Sequence, residues 1–569
     1  MTDTAASAIP LRPPEIVMRL ARLGSFHQCR LSFIRVLLRR LKRENWRFDR
    51  PTFDIDANGV GVAIYAAHGP ERSYSLVCFA HDLPADQRSD RVIAEAWDST
   101  FALFDGLPTA DDIKRLSKNV PKQEAGRITS RELSLSRANR SVRLFEHVVD
   151  RLAAGRQPDP SLVESVGYLM RTTAVYGSGK FGAADRNAIA DRPEFSGPFQ
   201  VEMLSVFLIR TFVVDLVEHL AKAKSPEKAV TLAPTSRRRF GIGNSTGLGM
   251  APFLVSHPVL ISHWIEAREQ ALSRVRSLAR ATEHERTIFR AIVARARLNA
   301  ETWASDHEQQ RDKLIRLRAD LVRLERHIVD GNLEGDAPWE RLYLWAENSL
   351  STEGQEQLVS LMLEPYGDLV DDLADEMAAD EDRTFSINGA MSLDRLQTIL
   401  DEIYGWALAI DWTSQDSLAR VWYTSAEKLE PRLGERFEEP IEAYEQPLAP
   451  ARDVAAMADD IDKWEGEPCV AAFLLAHPEH RHIVRRVQIA ARYPYAEIRD
   501  NTIAKTLQPI DLLRCKLSFF GAGHFDPRSD RWVRINLFKG APFPNDLAES
   551  DSDDWCYPPL TDSDSCTSR

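Results

Sequence analysis

The sequence predicts an α+β fold that is predominantly α-helical: a large helical body with a small antiparallel β-sheet built from N- and C-terminal segments. Three observations lead there. Runs of β-branched and aromatic residues broken by turn dipeptides cluster before residue 81, and similar runs return after residue 511. Helical apolar spacing dominates the long middle. From Val259 to Asp330 there is neither Gly nor Pro.

Taken in order, residues 14–45 read as a basic amphipathic helix, with eleven Lys/Arg against three Asp/Glu between residues 12 and 50. Strands are expected at 52–56, 61–67 and 73–80, joined by an Asn58-Gly59 turn and a Gly69-Pro70 break. The stretch "DRVIAEAWDSTFALFDG" fits a strand or a helix equally. "SRELSLSRANRSVRLFEHVVDRLAAG" reads as a helix ending at Gly155, and "FQVEMLSVFLIRTFVVDLVEHLAKA" as a central helix buried all round. Leu314, Leu317, Leu321, Leu324 and Ile328 form a coiled-coil-like seam, read as a helical hairpin within one body. The acidic run at 368–382 reads as a solvated helix face. "LLRCKLSFFGAG" and "RWVRINLFKG" are expected to be strands. The domain reading is therefore 1–108, an N-terminal basic helix plus β-hairpins; 109–433, a helical body with Gly-rich loops; 434–545, C-terminal helices and strands packing on the N-terminal region; and 546–569, an acidic tail.

The chain has 569 residues, is 44% hydrophobic and carries a formal net charge of −13, with a mean hydropathy of −0.32. That composition suits a folded protein and argues against a general nucleic-acid binder, which carries a basic domain. There is no apolar run of about 18 residues, so no membrane span is expected. The N-terminus lacks the order of a signal peptide. Six scattered cysteines without CxxC spacing fit a reducing cytoplasm and no structural zinc or disulfide framework.

Two Gly-rich stretches carry the chemistry. In 176–182, Tyr176-Gly-Ser-Gly-Lys180 lies near Arg171 and Arg186. In 241–249, four glycines follow Arg237, Arg238 and Arg239 and enclose Asn244, Ser245 and Thr246. Backbone N–H groups in glycine turns cradle anions, and arginine forks grip carboxylate or phosphate. Tyr176, Lys180 and His257 are the candidates for moving a proton, with Asp185 and Glu202 as orienting carboxylates. The competing reading is that these glycines end helices and the arginines pair with acidic neighbours.

The Gly-rich turn and Tyr176-x-x-x-Lys180 together resemble the two signatures of short-chain dehydrogenases. Their order is reversed here, and "SRRRF" does not read as the buried parallel strand that should precede the turn, so a Rossmann domain is not expected. A P-loop is excluded because Ala174 and Phe181 stand where it needs Gly and Ser/Thr. His477, His480 and His482 in "AHPEHRH" do not share one face of an α-helix, so no metal site is expected there.

The leading expectation is a cytoplasmic enzyme acting on a small anionic metabolite by proton-transfer chemistry of lyase, isomerase or hydrolase type, lyase or hydrolase first. No motif names a cofactor, and a homodimer is compatible with the sequence. The alternatives are a helical interaction or scaffold protein using the basic helix and Leu seam, and a nucleotide- or NAD(P)-dependent oxidoreductase of non-Rossmann topology.

Overall fold

The hairpins expected between residues 52 and 80 form, but within a much larger sheet than expected. The computed structural model describes residues 9–17, 29–84, 87, 96–122, 128–172, 189, 191–197, 199–244, 258–302, 308–329, 331–377, 386–413, 449–496, 535–550 and 555. The sheet has eight strands in the order of the sequence: β1 (Arg47–Ile55), β2 (Gly61–His68), β3 (Ser73–Ala80), β4 (Ser99–Asp105), β5 (Glu132–Arg140), β6 (Tyr168–Thr172), β7 (Gly241–Asn244) and β8 (Ile535–Leu537). All neighbours are antiparallel except β6 and β7, which are parallel. This large, curled, mixed sheet replaces the small antiparallel one. The helices used below are α1 (Pro14–Val17), α2 (Phe33–Arg43), α3 (Ala110–Asn119), α4 (Phe145–Ala153), α5 (Pro160–Val166), α6 (Gln200–Lys224), α7 (Pro234–Arg238), α8 (Pro258–Arg276), α9 (Glu283–Thr302), α10 (Glu308–Val329), α11 (Pro338–Ser349), α12 (Thr352–Leu363), α13 (Leu393–Leu408), α14 (Ala449–Asp462), α15 (Val470–Ala476) and α16 (Arg481–Arg492).

The chain divides into two units that interleave along it: Met1–Phe26, Leu248–Thr287 and His327–Cys515 in one; His27–Gly247, Ile288–Arg326 and Lys516–Arg569, with the sheet, in the other. In the sheet unit, local chemistry sets the first turns. Asp56 Oδ1 accepts from the backbone N–H of Asn58 and Val60, and Gly59 takes the left-handed conformation (φ 80°) that closes β1 onto β2. Gly69 N–H donates to Arg72 O at the β2–β3 turn. β5 falls where a helix was expected. Eight of its nine residues are buried, so its two faces serve two layers and no polar face marks it as a strand. One face belongs to the cluster of Ile64, Val77, Phe79, Ala102, Phe104, Leu116, Val120 and Leu135, closed by α3. α3 begins with a reciprocal Thr109–Asp112 capping box. Against the other face lies α6, the apolar helix the sequence predicts: Phe212 meets Tyr65 and Phe101 edge-on, and Ser205 Oγ bonds Ser134 Oγ at 2.6 Å. Each large apolar side chain it buries contributes roughly 1.5–3 kcal/mol.

The basic N-terminal stretch is not one continuous helix: residues 29–32 are not helical. α2 buries Arg35 and Arg40 along with its apolar residues. The Leu seam of α10 is fully buried within the chain; Arg318 Nε donates to Ala300 O (2.9 Å) and Arg297 pairs with Glu325 (2.8 Å), tying α10 to α9.

In the other unit, α13 to α16 enclose a core of Leu396, Leu400, Tyr404, Val454, Met457, Phe473 and Val487. A second knot is ionic. Arg12 forks onto Glu269 (2.8 and 2.6 Å) and reaches Glu356 (3.1 Å), which also accepts from Arg268 (2.7 Å); all four side chains are buried. No described helix is long and apolar enough to cross a membrane. Cys78 and Cys469 are free thiols.

Candidate functional site

α5 stops at Gly167, whose φ of 73° gives the helix a left-handed cap and turns the chain into β6. β6 is buried along its whole length, then α6 crosses the sheet, and β7 returns beside β6 in the same direction. β6–α6–β7 is thus a parallel crossover unit. Its register pairs Arg171 with Gly243 and Thr172 with Asn244, so the two strands end side by side. Thr172, the last residue of β6, and Asn244, the last of β7, are the described residues that precede the remainder of the two Gly-rich stretches in sequence.

The amino end of α6 lies at that same end of the sheet. Ser134, near the start of β5, faces the end toward which β6 points, and it bonds Ser205 in the first turns of α6. The last turns of α6 sit at the other end, where His219 Nε2 meets Asp56 O at 2.9 Å. The first turn of α6 carries buried Gln200, whose Nε2 donates to Phe33 O (3.2 Å), and buried Glu202. Phe199, its N-cap, provides no side-chain acceptor for the first N–H groups. Further polar groups share this end. Arg192 Nη2 bonds Asp105 at 2.8 Å, and Tyr74 OH donates to Glu194. Burial, reinforced by Glu194, pushes the Tyr74 phenol above its ordinary range, so it stays a donor. Adjacent carboxyl ends of two parallel strands, near a helix amino terminus, are the kind of place at which anions bind.

The stretch from 241 to 249 is not one glycine loop. Its first four residues are β7, and its first two glycines serve packing. A β-carbon on Gly243 would lie 2.7 Å from Tyr168 Cγ, and one on Gly241 would lie 2.6 Å from Leu537 O. The strand also separates the residues that the sequence groups together. Arg237, Arg238 and Arg239 stand before its amino end; Asn244 closes its carboxyl end, roughly 13 Å further on for four extended residues. The three arginines therefore do not line the place from which the Gly-rich segments depart. Arg171 does stand there, buried on β6 next to Gly243 and opposite Asn139 of β5. Tyr176, Lys180, Asp185, Arg186, Ser245, Thr246 and His257 lie outside the described residues.

The arginines belong to a separate cationic cluster. Arg210, fully buried on α6, donates to Phe240 O (2.7 Å), Pro542 O (3.2 Å) and Arg238 O (3.2 Å). Its guanidinium stacks on Phe543 (3.8 Å to the ring centre), and Arg237 stacks on the same ring (4.4 Å). Burial first, then Arg237 and Arg238, holds the Arg210 pKa well below the arginine range. Asp215 anchors the rim: it accepts from Arg50 and from Tyr65 OH, both at 2.8 Å, with Arg237 at 3.9 Å. The sequence signal for this cluster was a lone arginine inside the apolar run "SVFLIRTFVV". It went unread because its acceptors, the 238–240 turn and Pro542, are distant in sequence.

No protein-family model, curated protein or solved structure matches the chain. Any functional reading rests on the site alone.

Proposed function

We propose that the chain is a cytoplasmic enzyme acting on a small anionic metabolite, a carboxylate or phosphate, by proton-transfer chemistry of lyase, isomerase or hydrolase type. The anion sits where β6 and β7 end. Arg171 and the backbone of the Gly-rich segments hold it, Lys180 and Arg186 add charge, and Tyr176 exchanges the proton. The observation that supports this reading is the parallel pairing of Thr172 with Asn244, which starts both segments from one point.

A thermal-shift panel of small carboxylates, phosphates and nucleotides tests it. At least one small acid is expected to raise the melting temperature. Lys180→Ala and Arg186→Ala should abolish the shift with unchanged circular dichroism, while Arg238→Ala, at the other end of β7, should keep it. Loss in Arg238→Ala with retention in Lys180→Ala would move the site to the arginine cluster and overturn the placement. No shift with any acid rejects the anion reading in favour of an interaction protein.

A second reading is favoured by one observation: β6 is followed by a Gly-rich segment and then by a crossover helix to a parallel neighbour, the order of strand, loop and helix that cradles nucleotide phosphates. A shift confined to nucleotides or dinucleotides would select it.

A further inference from the structure

His477, Glu479 and His480 fall on the short 3-10 turn Pro478–His480 and its leading residue, between α15 and α16. Helical spacing separates the three histidines as a set and leaves the pair His477 and His480 open. With three residues per turn, positions i and i+3 eclipse, so His477 and His480 point the same way. Their rings lie 5.8 Å apart at 27°, and both stack on Phe473. A third element completes the group: Asp460, on the last turns of α14, meets His480 Nε2 at 2.9 Å and His477 Nδ1 at 3.9 Å. Glu479 Oε1 is 3.1 Å from His477 Nδ1. One ligand atom from each of the four residues lies within 4.8 Å of all the others.

We infer that Asp460, His477, Glu479 and His480 form a binding site for a divalent transition metal of the zinc type. Four donors around a metal at about 2.0–2.2 Å stand roughly 3.4 Å from each other, so the observed spacings need only small side-chain rotations to close. Two neutral imidazoles and two carboxylates bring a charge of minus two, which a divalent ion cancels. A mixed nitrogen and oxygen set of four selects Zn²⁺ and its neighbours over Mg²⁺ or Ca²⁺, which take six or more oxygens. Phe473 backs both rings, and Trp464 meets Phe473 and His477 edge-on, forming an apolar wall on one side. With four protein ligands the site is of the structural kind, tying α14 to the turn between α15 and α16. His482 stands two residues beyond the turn, is exposed, and is not part of it.

The experiment uses the full chain stripped with chelator and titrated with Zn²⁺ alone, read by calorimetry and by thermal shift. One equivalent is expected to bind and to raise the melting temperature, with no competition from millimolar Mg²⁺. Because His480 is buried, the variants are at its more exposed partners: His477→Ala should weaken Zn²⁺ binding by roughly 100-fold or more, and Glu479→Gln by roughly 10-fold or more. His482→Ala should bind like the parent. Unchanged Zn²⁺ affinity in the His477→Ala/Glu479→Gln double variant, no binding by the parent, equal competition by Mg²⁺, or loss of binding in His482→Ala would each overturn the assignment. Circular dichroism of every variant confirms that the fold is kept.

Discussion

Replacing Arg210 by methionine isolates the clamp between α6 and the chain around β7. Methionine keeps most of the stem and removes every N–H. Phe240 O and Pro542 O lose their arginine donors, whereas Arg238 O keeps Gly540 N–H at 2.7 Å. A buried carbonyl left without a donor costs about 1–3 kcal/mol, so two of them cost about 2–6 kcal/mol. Loss of the stack on Phe543 adds about 1–2 kcal/mol. Against this, the variant no longer buries a cation whose charged state is disfavoured, which returns several kcal/mol. The net expectation is a destabilisation of about 3 kcal/mol. Urea unfolding followed by tryptophan fluorescence measures it, and amide exchange at Ile242 and Gly243 should accelerate first, because the clamp holds the turn that leads into β7. Arg210→Lys, with one ammonium in place of a fork, should fall between the two. A methionine variant with the parent's midpoint and unchanged exchange at β7 would refute the reasoning.

Two further outcomes are expected. Gly243→Ala forces a methyl against the Tyr168 ring and should cost about 1–3 kcal/mol, with Tyr168→Leu in the same chain recovering part of the loss; an alanine variant as stable as the parent would show that the ring can move aside. His81, partly buried with Nε2 2.9 Å from Thr100 Oγ1, has its pKa lowered by burial. The folded state thus prefers the neutral ring: its contribution to stability is fully present above the unfolded value near 6.5 and is lost as pH falls through the lower folded value. Chemical denaturation between pH 7 and pH 5 should show a steeper loss for the parent than for His81→Gln, and equal slopes would contradict this account.

How much of this the sequence made legible depended on where partners lay. β1 to β3 could be read because Asn58-Gly59 and Gly69-Pro70 separate runs whose partners are adjacent, so local chemistry and final pairing agree. α6 could be read because its first four turns are apolar nearly all round and have nowhere to go but the interior, while only its last residues, Lys222 to Lys224, are exposed. β5 could not: "ELSLSRANR" pairs with β4 and β6 and buries its serines against α6, so the pattern of small polar residues imitates a helix surface. β7 was hidden for a different reason. Two of its four residues are glycines, demanded by Tyr168 and Leu537, and glycine carries no strand signal of its own. Grouping Arg237–Arg239 with Asn244 followed from that error, since a loop would have kept them together and a strand holds them apart. His477 and His480 were visible, but they were weighed as a trio with His482, which stands apart from them, and Asp460 arrives from another element.

The attachment of β8 bears on how the protein is made. Arg210 and Pro542, joined by a hydrogen bond, are 332 residues apart in the chain. On the ribosome, β7 emerges with its β6 neighbour already available but waits for β8, which begins at Ile535, 291 residues after β7 ends at Asn244, before its other edge is covered. An uncovered strand edge invites pairing with a second nascent chain, so the interval between the two strands exposes the protein to misassembly.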